Sequence, residues 1–137
     1  MKRRCGAASA GVFPFRFAWQ AQTCCGVKAS NDDSLLGTIA WFNCNGGCNT
    51  HPVADKAANA FGMYDMSGNV WEWCNDWYGS YAAGNATDPA GPSSGSYRVL
   101  RGGDWNDNSS FCRSSNRYGN GPDYRNLIIG FRVARTP

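Results

Sequence analysis

The chain has 137 residues, the usual size of a single domain, of which 42% are hydrophobic, 14% are aromatic and 17% are charged, with a formal net charge of +3. The aromatic content argues against disorder, and no apolar run is long enough to predict a membrane span. Ten of the thirteen basic residues are arginines, and only Lys2–Arg4 are clustered, so we expect no nucleic-acid binding. The arginines are expected to donate hydrogen bonds to carbonyls and carboxylates within an irregular fold.

Regular structure is sparse in the first half of the chain. Aromatic residues alternate at strand spacing over residues 13–19. A short helix is predicted through Leu35, Leu36 and Ile39, with Asp32 or Asp33 as its N-cap. Asn, Gly, Cys and Pro dominate residues 43–60, which predicts a loop.

The second half of the chain has short strand signals between long polar stretches. Alternating residues predict strands over 70–73 and 97–101, and an apolar run predicts a closing strand over 127–133. Residues 79–95 are rich in turn formers, and residues 104–126 lack any apolar run of strand length. The prediction is a loop-rich α+β fold with short antiparallel strands.

Cysteine and histidine chemistry is left open by the sequence. Cys44 and Cys48 are four residues apart, which is half of a zinc site, but no second pair completes it, and His51 is the only histidine. Structural zinc, disulfides and buried thiols all remain possible roles for the seven cysteines. We expect His51, in a polar loop, to be solvated rather than catalytic.

The run G-M-Y-D-M-S-G-N-V-W-E-W-C at residues 62–74 is rich in oxygen ligands. The carboxylates of Asp65 and Glu72 and the carbonyls of Gly68 and Val70 are the kind of ligands that calcium takes. A structural calcium ion is therefore predicted at these four residues.

This run, with R-G-G-D-W at residues 101–105 and G-F-R-V-A at 130–134, resembles the formylglycine-generating-enzyme (sulfatase-modifying-factor) family. The resemblance implies a variant of the C-type lectin fold, and the family's use of matching positions supports the calcium prediction. Residues 1–32 show no clear family match, so we predict one domain with an N-terminal part, 1–32, and a lectin-like part, 33–137.

The resemblance also allows an expectation about catalysis. The family's oxidases hold copper with two cysteines shortly after the Gly-Gly motif and oxidise a substrate cysteine to formylglycine. Here residues 104–111 contain no cysteine and Cys112 is alone. Because one thiolate cannot provide a two-coordinate Cu(I) site, we expect no copper and no enzyme activity. The alternative is an oxidase that acts on a sulfatase cysteine.

Residues 104–129, here called the 104–129 segment, resemble the variable region of ligand-binding proteins diversified by retroelements. Mutation of template adenines cannot turn an A-A-pyrimidine codon into Lys, Glu, Gln, Met or Trp. The segment contains no Lys, Glu, Gln or Met, and its one Trp is Trp105. The resemblance predicts a non-catalytic protein with an exposed variable surface, made of Asn106, Asp107, Asn108, Ser110, Phe111, Ser115, Asn116, Tyr118, Asn120, Asp123, Tyr124 and Asn126.

The composition of this surface is that of a paratope, with aromatic residues for contact area and Ser, Asn and Gly for adaptable hydrogen bonds. We expect the ligand to be a macromolecule, such as a protein on a host or target cell. The chain itself is expected to be a monomer and to lie on a virion or cell surface. A plain long loop and a carbohydrate-binding lectin, for which Trp105-Asn106-Asp107 offers a ligand-like motif, are the alternatives. Four aromatic residues should be buried as scaffold: Trp71, Trp73, Trp105 and Phe131.

Overall fold

The computed structural model describes residues 31–81, 83–85, 87, 89 and 91–134, and the aromatic run at 13–19 lies outside these ranges. Regular elements are few and short, and most of the described chain is turn and loop. The elements, in chain order, are helix α1 (Asn31–Leu36), strand β1 (Trp71–Trp77), strand β2 (Arg98–Arg101), a 3-10 turn (Ser109–Cys112), strand β3 (Tyr118–Asn120) and strand β4 (Ile129–Gly130).

The four strands form one sheet in the order β3-β2-β1-β4. Strands β1 and β2 are antiparallel, with Glu72 opposite Arg101 and Trp73 opposite Leu100, and β2 and β3 are also antiparallel. Strand β4 joins β1 in parallel, with Trp71 opposite Ile129. The loop-rich α+β prediction with short strands is confirmed, but one of the three pairings is parallel.

Helix α1 differs from its prediction at both ends. It begins at Asn31, so Asp32 and Asp33 lie within the helix instead of capping it. It ends at Leu36, and Ile39 follows in a turn that starts at Gly37, where a residue without a Cβ favours the end of a helix. None of the described helices is long and apolar enough to cross a membrane.

The C-terminal half of the sheet corrects two strand predictions. The strand predicted over 127–133 is reduced to Ile129–Gly130, because Phe131 and Val133 are exposed rather than packed. Strand β3 forms inside the polar stretch that was expected to lack a strand. Its Gly and Asn residues have low strand propensity, so backbone pairing with β2 must determine this strand rather than an apolar pattern.

The core is small and is centred on the start of the sheet. Ala40, Phe42 and Cys112 form a buried cluster, and the side chains of Val99 and Leu100 are also buried. Trp71 is buried as predicted, at 6% exposure, whereas Trp73 and Trp105 are only half-buried. The prediction for Phe131 is wrong, because its side chain is 61% exposed.

Asn69 holds three loops together at the entrance to β1. Its side-chain amide donates to the carbonyl of His51 (3.1 Å) and accepts from the His51 N–H (3.0 Å). Its backbone N–H donates to the Trp41 carbonyl (2.8 Å), and its carbonyl accepts from the N–H of Trp105 (2.9 Å). The preceding Gly68 has φ +73°, and a Cβ there would lie 2.1 Å from the Trp41 oxygen, so only glycine allows this close approach.

Arg132 ties the end of the sheet back to β1. Its guanidinium forms an ion pair with both carboxylate oxygens of Glu72 and donates to the carbonyls of Tyr64 (3.0 Å) and Asp65 (2.9 Å). The two charged side chains are only 6% and 17% exposed. A planar fork of donors satisfies four oxygens at once, which a lysine could not do in this geometry.

Other arginines also donate to the backbone, as the sequence predicts. Arg101 donates to the carbonyls of Ser114 and Asn116, at 3.0 Å each. Arg117 donates to the Gly79 carbonyl (2.5 Å), and its guanidinium lies 3.8 Å from the ring centre of Tyr81. These contacts replace secondary structure as the means of fixing loops.

Replacing Arg132 with Met should destabilise the fold by about 3–5 kcal/mol, because Glu72 then remains buried without a partner. The double variant Glu72→Met/Arg132→Met should recover much of that loss, since no unpaired charge is left. Urea unfolding followed by tryptophan fluorescence measures both changes. A loss below about 1 kcal/mol in Arg132→Met would contradict this role for the ion pair.

Candidate functional site

The predicted variable surface is mostly open to solvent. Three of its twelve side chains, Asp107, Asn116 and Asn120, are half-buried. The other nine are exposed: Asn106, Asn108, Ser110, Phe111, Ser115, Tyr118, Asp123, Tyr124 and Asn126. The 104–129 segment therefore leaves nine of the twelve predicted positions open to solvent, and their role in binding stays a prediction.

A cleft of about 280 Å³ opens within this surface. Half of its lining comes from the predicted surface, namely Asp107, Phe111, Tyr118, Asn120 and Tyr124. The other half is Trp71, Leu100, Asp104, Ile128 and Ile129, which come from β1, β2 and the two ends of the 104–129 segment. The cleft thus joins the predicted variable residues to the fixed sheet.

Asp104 shapes the turn at the base of the cleft. Its side chain is 2% exposed, and its Oδ1 accepts from the backbone N–H groups of Asn106 (2.6 Å) and Asp107 (3.0 Å). The preceding Gly103 has φ +77°, and its position lets the backbone of Phe111 pass where a Cβ would be 3.1 Å away. A buried carboxylate that holds two N–H groups fixes this turn without any regular element.

The two aspartates of this turn have raised pKa values. Burial raises the pKa of Asp104 from 3.8 to about 6, and the nearby charge of Asp107 adds to the rise, while the two backbone N–H groups oppose it. Burial also raises the pKa of Asp107, while a contact with the Trp71 side chain lowers it. Oδ2 of Asp107 is buried and has no hydrogen-bond partner among the described residues.

Sequence reasoning missed the floor of the cleft. The predicted surface does not include Asp104. Asp104, Asn106 and Asp107 nevertheless have the spacing of a turn in which the first aspartate accepts hydrogen bonds from the following backbone. Trp71 was predicted as core and is indeed buried, but it also lines the cleft. Its indole is 6.3 Å from the ring of Phe111 and 6.1 Å from that of Tyr118.

Two of the four predicted calcium ligands have protein partners in the structure. Both oxygens of Glu72 accept from Arg132, and Oδ2 of Asp65 accepts from the N–H of Ala54 (2.8 Å). The Arg132 guanidinium supplies the positive charge that the ion would bring. Among the described residues, no group of three or more His, Cys, Asp or Glu side chains could hold a metal. Calcium at Asp65, Gly68, Val70 and Glu72 stays a prediction, which metal analysis of the purified protein tests.

His51 has a structural position rather than the solvated one expected. Its ring stacks on Trp41 with 3.7 Å between centroids, and its Nε2 lies 2.8 Å from the Gly46 carbonyl. Of the two cysteines with zinc-like spacing, Cys48 is disulfide-bonded and Cys44 packs against the buried cluster. These contacts favour neither a catalytic relay through His51 nor a zinc site at Cys44 and Cys48.

The raised pKa of Asp104 makes stability depend on pH in a predictable direction. The folded protein binds this proton more tightly than the unfolded chain, so the contribution is complete below about pH 3.8 and is lost as pH rises through about 6. Asp104→Asn keeps the acceptor of the turn but removes the titration. Between pH 4 and pH 7, the stability of the native chain should fall by about 2 kcal/mol relative to Asp104→Asn. Equal pH dependence of the two proteins in urea unfolding would contradict this assignment.

Comparisons with known proteins agree with this architecture. Residues 4–137 match the sulfatase-modifying factor enzyme 1-like domain. The formylglycine-generating enzyme of Streptomyces coelicolor is 41% identical over 95 residues, which is 66% of this chain and 30% of that protein. The serine/threonine-protein kinase pkn1 of Chlamydia pneumoniae is 43% identical over 133 residues, which is 94% of this chain and 19% of that protein. The chain thus spans less than a third of the length of these relatives.

Among solved structures, the Treponema denticola variable protein 1 is similar with a TM-score of 0.70 and 41% sequence identity, over 75% of this chain and 38% of that one. This similarity shows that the chain shares the fold of that variable protein. The predicted fold class is therefore confirmed, and the chain belongs to the sulfatase-modifying factor enzyme 1-like (formylglycine-generating-enzyme) family.

Proposed function

We propose that this domain is a non-catalytic ligand-binding protein of a diversity-generating retroelement and that the 104–129 segment is its variable surface. The observation that carries the proposal is the cleft, because five of its ten lining residues belong to the predicted variable set. The similarity to the Treponema denticola variable protein supports the same function. The ligand is a macromolecule, such as a protein on a host or target cell, and the binding domain is placed on a virion or cell surface.

The division between exposed and anchored residues supports diversification. Trp105, whose codon contains no adenine, is half-buried, and its backbone N–H donates to the carbonyl of Asn69. Most of the Asn, Ser and Tyr residues of the predicted variable set are exposed. Substitution at such exposed positions usually changes stability by less than about 0.5 kcal/mol, so many versions of the segment can fold on one scaffold.

The surroundings of Cys112 support the absence of oxidase chemistry. Its side chain is 3% exposed and packs in the core cluster with Ala40 and Phe42. A thiol in that position is not accessible to a peptide substrate. No second cysteine lies between Gly103 and Cys112 to complete a copper pair.

The deciding experiment is sequencing of the DNA around the gene. We expect a reverse-transcriptase gene and a near-copy of the codons for residues 104–129 that differs from them at adenines. Parallel sequencing of many cells should find substitutions confined to those codons. A locus with neither feature, and with no variation in the segment, would contradict the proposal and leave a plain surface loop.

The second candidate is a formylglycine-generating oxidase, which the 41% identity to the Streptomyces coelicolor enzyme favours. We expect that the protein, incubated with copper, oxygen and a peptide carrying a sulfatase cysteine motif, leaves the cysteine unchanged by mass spectrometry. Conversion of the peptide thiol to an aldehyde would establish the oxidase. Cys112→Ser is the control for any background oxidation.

A further inference from the structure

The cleft has an acidic base formed by Asp104 and Asp107, and no described basic side chain forms an ion pair with it. Asp104 and Asp107 interact directly in the turn, and Oδ2 of Asp107 is buried without a hydrogen-bond partner among the described residues. Among the described residues, the ion pair joins Glu72 to Arg132. No described lysine or arginine therefore pairs with Asp104 or Asp107. A ligand in the cleft therefore meets negative charge that no described cation of the protein offsets, which favours a positively charged ligand.

The walls of the cleft are aromatic. The centroid of the Trp71 ring lies 6.3 Å from that of Phe111 and 6.1 Å from that of Tyr118, and Tyr124 also lines the cleft. The faces of such rings carry partial negative charge and attract cations, most strongly organic ones in desolvated sites. Carboxylates below and ring faces at the sides therefore favour the same kind of ligand.

From this arrangement we infer that the cleft binds an organic cation, the ammonium or guanidinium group of a lysine or arginine side chain on the macromolecular ligand. The inference rests on the proposed function and names the chemistry that the surface recognises. The positive charge of the cation would lie near the carboxylate of Asp107, which lines the cleft, and its alkyl stem would lie against the rings. A volume of about 280 Å³ accommodates one such side chain.

An inorganic ion fits this cleft less well. Two carboxylates are too few for calcium, which takes six to eight oxygen ligands, and the remaining walls are mostly apolar or aromatic. A neutral apolar ligand would leave the Asp107 oxygen unpaired. An anionic ligand would be repelled by both aspartates. The organic cation is the class that satisfies the base and the walls together.

Residues outside the predicted variable set and residues within it both contribute to the proposed selectivity for a cation. Trp71 and Asp104 are outside the predicted variable set, whereas Asp107, Phe111 and Tyr118 are within it. The ring of Trp71 therefore belongs to the scaffold outside the segment, and Asp104, which closes the turn, is expected to be retained. The second carboxylate and the outer rings make this particular sequence selective for a cation.

The test uses the complete chain and small probes with a peptide-like backbone. Nα-acetyl-lysine methylamide and its arginine analogue should shift the NMR signal of the Trp71 indole N–H with roughly millimolar affinity. The norleucine analogue, which lacks the charge, should bind at least about tenfold more weakly. Equal affinity of the lysine and norleucine probes would overturn the inference. Butylammonium should bind more weakly than the lysine probe, and an equal or higher affinity would assign the cleft to a free amine instead.

Variants locate the binding. Asp107→Asn should weaken binding of the lysine probe at least about tenfold, and Tyr118→Leu, which keeps an apolar side chain but removes the ring, should weaken it severalfold. Asp55→Asn removes a charge from an exposed loop residue that does not line the cleft, and should leave the affinity unchanged. Lysine binding that survives Asp107→Asn would overturn the inference.

Failure of the cation site and failure of the proposed function are distinguishable. If the gene neighbourhood carries the adenine-variant copy and no cationic probe binds, the variable surface stands and its chemistry is different. If the probes bind as expected and no such copy exists, the cleft is a fixed binding site on a protein that is not diversified.

Discussion

Both ends of the 104–129 segment are fixed to the same four-residue stretch of the chain, residues 69–72. The N–H of Trp105 donates to the carbonyl of Asn69, and the guanidinium of Arg132, just beyond the other end, pairs with Glu72. Between these anchors, the N–H of Trp71 donates to Ile128 at 2.8 Å. A segment held at both ends in this way can change its exposed residues without losing its position.

Short strands are sufficient here because polar contacts replace them. Asn69 serves three loops, and Asp104 closes a turn with one carboxylate oxygen. Such contacts depend on a few side chains with exact geometry, so each of them is hard to substitute. The arrangement separates the residues that maintain the fold from the exposed residues that we propose bind a ligand.

The sequence predicts the strands whose residues are packed and misses those that pairing alone produces. Strand β2 was predicted almost to its limits, because Val99 and Leu100 are buried between polar neighbours. Strand β3 was not predicted, since its Gly119 and Asn120 carry no apolar signal and depend on a partner far along the chain. The apolar side chain of Phe131 predicts a core residue. In the structure, Arg132 points toward Glu72 and the neighbouring Phe131 ring is exposed. Likewise, the resemblance indicated the binding segment, but the acidic base of the cleft follows only from the fold.

The exposed residues of the 104–129 segment are proposed to carry binding but not stability, and one multiply substituted chain tests this directly. Nine exposed positions are changed together to Ala or Ser while Asp104, Trp105 and Cys112 are kept: Asn106, Asn108, Ser110, Phe111, Ser115, Tyr118, Asp123, Tyr124 and Asn126. The account predicts cooperative urea unfolding with a free energy within about 2 kcal/mol of the native chain, since exposed substitutions each have small effects of either sign. Loss of cooperative unfolding would show that these residues maintain the fold, and would contradict the account.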